Sequence, residues 1–169
     1  MAKFIISNEA EIYTSHGPVR ANVIYDSFIN KKLNDDFKIA GFFNAGEVLS
    51  SIKDMKELEC EVGVHSSFKA IGIQPINMIC YPEQRAMTSD GKFIKIEDTN
   101  PGDLLLSLNG LLEVDYVEIF NDETKEESHK YFIIETKNTL PTLYVNNLIV
   151  MPVMEVDVKN PFFENYQFI

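Results

Sequence analysis

The chain of 169 residues has no tryptophan, three histidines and two cysteines. Cys60 and Cys80 lie far apart among apolar neighbours and form no CxxC pair, so we expect two buried free thiols. His16, His65 and His129 are scattered along the chain, which disfavours a zinc site. The composition therefore predicts neither a metal nor another cofactor.

Positive charge is also scarce. The chain has 15 Lys and Arg against 26 Asp and Glu, a net charge of -11 at pH 7, which repels the phosphate backbone of nucleic acids. The apolar run at residues 1–7 is too short for a signal peptide. The longest apolar stretch, residues 104–112, is far shorter than the roughly 20 residues that cross a bilayer. We expect an intracellular protein that binds neither nucleic acid nor membrane.

Residues 44–59 predict a helix. Asn44 is a suitable N-cap, and Glu47 three residues later completes a capping-box pattern. Residues 19–28 favour a strand, although their apolar spacing also fits a helix face. The helix at 44–59 would pack on the core or bind a partner through a stripe formed by Val48, Leu49, Ile52, Met55 and Leu58.

From Cys60 onward the pattern is typical of β-structure, with Gly, Pro, Asn and Asp between most of the apolar segments. Many short strands at this spacing predict a mostly-β, compact sandwich or barrel. The segment at residues 121–130, which is rich in Asp and Glu, predicts a solvated hairpin loop. The strand candidates are residues 61–64, 68–73, 76–80, 93–96, 104–108, 111–120, 131–136 and 143–150.

The turns within residues 79–152 form the most informative pattern. A Ser-Asp-Gly turn at residues 89–91 and an Asn-Pro-Gly-Asp turn at 100–103 join short β segments, and an Asn-Asn pair kinks the last strand. This layout resembles the second half of a Hint module, the fold of inteins and hedgehog autoprocessing domains. The resemblance implies one Hint-like β domain over residues 1–159, with a helical insertion at about 30–59.

In Hint modules an N-terminal Cys or Ser attacks the preceding carbonyl, a Thr-x-x-His motif assists, and in inteins a His-Asn pair releases the chain. Tyr81 and Gln84 stand at the Thr and His positions of this sequence, in a Tyr-Pro-Glu-Gln motif. Met151 and Pro152 replace the closing pair. A glutamine amide does not titrate near neutral pH. The resemblance therefore implies a degenerate module without catalytic residues, and we expect that the chain is not an enzyme.

The nucleophile position is less well defined. Counting back from Gly17 places it near Ile5, where Ser7 is the nearest hydroxyl. In a rival alignment Cys80 begins the module and serves as the nucleophile, and His129 is the only later histidine. This alternative predicts a divergent self-processing Hint protein.

Residues 160–169 form an unusually apolar tail, which we expect either to dock on another subunit or to fold back on its own core. We expect a fold that has lost its catalytic residues to be retained because its surface binds partners. We therefore expect a non-catalytic structural subunit of an oligomeric protein particle, such as a virion, phage tail or capsid component assembled in the host cytoplasm. A small acidic protein-binding module or inhibitor is a further alternative. The expected partner-binding residues are Phe162, Phe163, Tyr166, Phe168 and Ile169.

Overall fold

The computed structural model describes residues 3–43, 46–60, 62–70, 73–108, 110–121, 129–138 and 140–152. Strands dominate this part of the chain, so the predicted mostly-β class is confirmed. In chain order the elements are β1 (Lys3–Ser7), β2 (Glu11–Thr14), β3 (Gly17–Arg20), α1 (Ala21–Ile29), β4 (Ile39–Phe43), β5 (Gly46–Ser50), β6 (Ile52–Cys60), β7 (Val62–Ala70), β8 (Ile73–Cys80), β9 (Arg85–Met87), β10 (Phe93–Lys95), a 3-10 turn (Ile96–Asp98), β11 (Leu104–Ser107), β12 (Gly110–Asn121), β13 (His129–Thr136), β14 (Leu143–Val145) and β15 (Leu148–Val150).

The strands form two antiparallel sheets. The smaller has the order β1-β13-β6. The larger, called the long sheet below, has the order β5-β4-β2-β14-β15-β11-β12-β7-β8, with β3 on β2, β9 on β15 and β10 on β9. The main core lies on one face of the long sheet and includes residues of both sheets and of α1, among them Phe4, Ile12, Ile24, Phe68, Leu105 and Phe132.

The predicted helical insertion at about 30–59 is wrong. Strands β5 and β6 occupy most of residues 44–59, and β4 precedes them. Pairing decides the outcome: β6 lies along β13 with Met55 opposite Ile134, and β5 lies along β4. Tertiary pairing of this kind overrides a local helical spacing, because propensity is a weak term. Asn44 and Ala45, at the predicted cap, lie outside the described residues.

The helix is α1, within the stretch for which a strand was favoured. It buries Ala21 and Ile24 in the main core, and its Tyr25 ring stacks on Phe132 with 4.5 Å between centroids. The helical spacing noted for this stretch is therefore the pattern that the fold uses. No helix in the described ranges is long and apolar enough to cross a membrane.

The turn predictions are confirmed where backbone angles test them. Gly91 and Gly102 adopt φ values of 85° and 96°, in the left-handed region that glycine tolerates. The predicted single strand over residues 143–150, kinked at its Asn-Asn pair, is wrong: Asn146 and Asn147 have positive φ, 47° and 69°, in a tight hairpin turn that divides it into β14 and β15. The predicted hairpin at residues 121–130 is wrong in one respect, since β12 and β13 belong to different sheets. Residues 122–128 lie outside the described residues.

Candidate functional site

The positions taken from the Hint resemblance meet around Gln84, which lies in the turn between β8 and β9 and is 1% exposed. Its backbone N–H donates to the carbonyl oxygen of Tyr81 at 2.9 Å, closing the turn. Its own carbonyl oxygen accepts a hydrogen bond from Ile96 N–H at 2.9 Å. Turn and 3-10 segment thus fix the Gln84 backbone, so that its side chain can point only inward.

The Gln84 side chain fastens the end of β15 to β9. Its Nε2 donates to the carbonyl oxygen of Arg85 at 2.9 Å and to that of Met151 at 3.1 Å. Both partners are carbonyl oxygens, which can only accept, so the amide nitrogen must point toward them. This fixes the orientation of the amide. Met151 N–H donates to Arg85 O at 3.1 Å, and both Met151 and Pro152 are buried. Gln84 Oε1 is buried and has no hydrogen-bond partner among the described residues.

Tyr81 and Cys80 pack beside this clamp. The Tyr81 ring meets that of Tyr131 edge-on, with 5.6 Å between centroids. The Tyr131 hydroxyl donates to the Cys80 carbonyl oxygen at 3.4 Å. Burial raises the pKa of Tyr81, and the nearby Cys60 and Glu83 add to that effect. Tyr81 therefore packs as a neutral ring where Hint modules place a threonine.

Ser7 and Ile5 also lie in this region, in strand β1. Both are buried and pair with Tyr131 and Ile133 of β13. Ser7 borders a groove of about 700 Å³, whose other walls include His65, Asn77, Asn146 and Asn147. Ser7, the nearest candidate hydroxyl, is thus the register partner of Tyr131, and the ring of Tyr131 contacts that of Tyr81.

Cys80 is poorly suited to be a nucleophile. It ends β8 opposite Val64 in the main core and is 3% exposed. Burial, followed by the negative charge of Glu97, raises the pKa of its thiol far above the ordinary range. The reactive species of a cysteine is the thiolate, which such burial suppresses. In the described part of the chain, no group of three or more His, Cys, Asp or Glu residues could hold a metal ion.

The long sheet is apolar on its second face as well. Strands send alternate residues to opposite faces, and here neighbouring residues enter different clusters: Ile12 belongs to the main core and Tyr13 to the second cluster. Leu105 and Leu106 divide in the same way. We call this second group the outer apolar cluster. Its buried members are Ala40, Met87, Tyr144 and Ile149, and its partly buried members are Tyr13, Phe42, Phe93, Leu106 and Leu108.

Three exposed leucines extend the outer apolar cluster to its margins. Leu49 lies opposite Ala40 on β5, and Leu111 lies opposite Leu106 on β12. Leu104 stands two residues before Leu106 and so shares its face. Leu49 is 42% exposed, Leu111 48% and Leu104 42%. They are three of the seven large exposed apolar residues in the described ranges.

A basic pair borders the outer apolar cluster. Arg85 and Lys95 are register partners on β9 and β10, two residues from the cluster members Met87 and Phe93, and therefore share their face. Arg85 is exposed, and Lys95 lies 3.9 Å from Glu97.

The sequence analysis missed this face, although a signal was present. Residues 104–106 and 148–150 are unbroken apolar runs, and such runs indicate strands that are covered on both faces. The predicted partner-binding residues lie outside the described residues: Phe162, Phe163, Tyr166, Phe168 and Ile169.

Comparison with known proteins gives a consistent answer from structure alone. No protein-family model matches the chain, and no curated protein matches it. A bacterial intein-like domain from Clostridium thermocellum has a TM-score of 0.66 and 13% identity, covering 88% of this chain and 98% of its own. The TvoVMA intein has 0.66 and 14%, covering 89% and 97%. The Ssp DnaB mini-intein variant M86 has 0.62 and 14%, covering 92% and 98%.

These matches correct one expectation. The expectation that the chain is not an enzyme is wrong, because the solved structures that share its fold are inteins, which are self-processing proteins. The rival alignment from Cys80 uses only residues 80–169, or 90 of 169 residues, and the matches cover 88% or more of the chain; the alternative itself stays a prediction. The predicted resemblance is confirmed: this chain is a Hint-like fold module, built on the mostly-β fold of the inteins.

Proposed function

We propose that this protein is an assembly subunit that associates with further copies of itself through the outer apolar cluster. The observation that carries the proposal is the apolar second face of the long sheet, with Leu49, Leu104 and Leu111 exposed at its margins. Contiguous apolar surface of this kind marks interaction sites on soluble proteins, since it is costly to leave in water.

Aromatic side chains make this face suited to a specific contact. Tyr13, Phe42 and Phe93 are partly buried on it, and the Tyr13 ring meets Tyr144 edge-on at 6.1 Å. Rigid aromatic groups typically supply the central anchors of protein interfaces. Burial, and after it the negative charge of Glu47, raises the pKa of Tyr144, so the phenol stays neutral on this face.

Replacing Leu111 by glutamate should abolish association. A carboxylate placed at an interface anchor costs about 2 kcal/mol or more, which is a thirtyfold weaker complex. Ile119→Glu is the matched control: Ile119 lies on the same strand and is 58% exposed, but it is register partner to the core residue Val64 and so faces the other way. Sedimentation velocity should give masses above 19.3 kDa for the native chain and Ile119→Glu as concentration rises, and 19.3 kDa for Leu111→Glu.

Ionic strength gives a second readout of the same association. Copies that each carry a net charge of -11 repel one another, so added salt should strengthen their association through screening. A native chain that stays at 19.3 kDa at every concentration and salt level would overturn the proposal. Equal effects of Leu111→Glu and Ile119→Glu would also contradict it. The wider assignment to a virion or phage tail, and to assembly in a host cytoplasm, stays a prediction that rests on this association.

A second candidate function is self-processing at the Met151–Pro152 peptide bond, which one contact favours. The carbonyl oxygen of that bond accepts a hydrogen bond from Gln84 Nε2 in a buried setting. A donor held on this oxygen stabilises the negative charge that develops there when a nucleophile adds to the carbonyl carbon. With water as the nucleophile, a C–O bond forms at this carbon and the C–N bond to Pro152 breaks. The proton that water loses passes to the Pro152 nitrogen, which leaves as a secondary amine.

Intact-mass spectrometry tests this candidate directly. Self-processing predicts that incubation in buffer converts the 19.3 kDa chain into two fragments that divide between Met151 and Pro152, with masses that add up to that of the chain plus one water. Gln84→Leu removes the donor and should slow that cleavage by about a hundredfold or more. An undivided native chain after long incubation would eliminate the candidate.

A further inference from the structure

Resting on the assembly proposed above, we propose that the outer apolar cluster of one copy receives residues 160–169 of a neighbouring copy. The cluster and the segment are different surfaces of one chain, so their pairing joins copies head to tail. Contacts of this kind give a ring if the rotation closes and a filament if it does not.

The composition of the segment matches an apolar receptor face. Residues 160–169 lie outside the described residues, but their sequence has four aromatic side chains and an isoleucine after Pro161. Buried aromatic side chains contribute about 150–250 Å² each, so the four would bury about 600–1,000 Å² of the segment. A similar area from the cluster brings the total to about 1,200–2,000 Å², the range of stable protein interfaces.

The charges of the two surfaces are also complementary. The segment carries one charged side chain, Glu164, among its aromatic residues. The receiving face has Arg85 and Lys95 beside Met87 and Phe93, at one border of the cluster. An aromatic peptide with one carboxylate therefore finds both an apolar floor and a cationic border on this face.

The chain leaves the fold close to the proposed receptor. Ile149 is a buried member of the outer apolar cluster, and Pro152, the last described residue, follows three positions later. Residues 153–159 provide seven residues of connection, which span at most about 25 Å when extended.

The absence of tryptophan makes the segment easy to observe. Phe168→Trp introduces a single indole into the full chain, and its emission should shift to the blue as concentration rises and copies associate. Val23→Trp is the control, because Val23 is 52% exposed on α1 and does not belong to the outer apolar cluster. Emission from that variant should not depend on concentration.

A mixing experiment with two full-length variants tests the pairing itself. The receptor variant carries Leu104→Glu and Leu111→Glu, and the segment variant carries Phe163→Ser and Phe168→Ser. Each should stay at 19.3 kDa alone, with self-association weakened about thirtyfold or more. Mixed in equal amounts they should form a complex of twice that mass, because one supplies an intact segment and the other an intact receptor.

The outcomes separate this inference from the assembly role. If the segment variant still associates while the receptor variant does not, the clusters pair with one another: the inference fails and the assembly role stands. If Phe168→Trp emission is already blue-shifted and constant in a monomer, the segment covers its own cluster, which overturns the inference. If the mixture forms no complex although the native chain associates, the inference is also overturned.

Discussion

Replacing Gly41 by alanine should destabilise the fold by about 3 kcal/mol or more, because no room exists for one methyl group. A Cβ at this position in β4 would overlap the carbonyl oxygen of Thr142 and lie 2.8 Å from its carbonyl carbon. Thr142 is held in place, since its Oγ1 accepts from Phe42 N–H and donates to Phe42 O, both at 2.7 Å. The backbone can yield only by breaking both hydrogen bonds.

Gly102→Ala is the control for conformational strain alone. Gly102 has a φ of 96°, but an added Cβ meets nothing within 4 Å, so the cost should be about 1–2 kcal/mol. Urea unfolding of both variants gives the comparison. Equal stabilities of native chain and Gly41→Ala would show that β4 does not approach Thr142 in this way.

The close approach at Gly41 illustrates what the sequence does not reveal. Positive φ at Gly91, Gly102, Asn146 and Asn147 was predictable, because each follows from turn chemistry within a few neighbouring residues. The contact between Gly41 and Thr142 joins positions 101 residues apart (142 − 41). Such a contact has no local signature and arises only when the long sheet places β4 and β14 on either side of β2.

The same distinction explains the missed helix position. The stripe at residues 48–58 has helical spacing, but β6 finds a partner in β13 more than seventy positions later. The segment therefore forms a strand along β13, and Lys53, Lys56 and Glu57 are exposed on it. Conversely, α1 lies where β-branched residues favoured a strand. Propensity decided neither element, because packing on the main core outweighs it.

The two candidate sites also differ in how far the sequence could predict them. A motif match located Tyr81, Gln84, Met151 and Pro152 before any contact was known, and the structure indeed joins Gln84 to Met151. The match did not indicate what Gln84 does there, since its bonds are to backbone carbonyls. The outer apolar cluster combines residues of β2, β4, β9, β10, β11, β14 and β15 and needs the sheet order to be seen.

Gln84→Leu and Gln84→Glu should separate two properties of this buried amide, its hydrogen-bond donation and its lack of charge. Leucine is similar in size but removes the Gln84 donor from the carbonyl oxygens of Arg85 and Met151, while it also removes the unpartnered Oε1. Arg85 O keeps its hydrogen bond from Met151 N–H. The net loss should be about 2 kcal/mol, and it should not depend on pH. Glutamate instead directs a second oxygen at those carbonyls and places a charge in a site that is 1% exposed.

The pH dependence of Gln84→Glu has a definite sign. Burial beside two carbonyl oxygens must raise the pKa of the new carboxyl above its unfolded value of about 4.3. The protonated form, which can still donate to one carbonyl, is therefore favoured by folding. Relative to the native chain, the variant should lose about 4 kcal/mol at pH 8 and progressively less as the pH falls toward 4.3. Urea unfolding from pH 8 to pH 5 measures this difference, with Gln84→Leu as the pH-independent reference. A constant difference across that range would mean that the Gln84 side chain is not enclosed between β9 and the end of β15, and the clamp that this geometry describes would have to be abandoned.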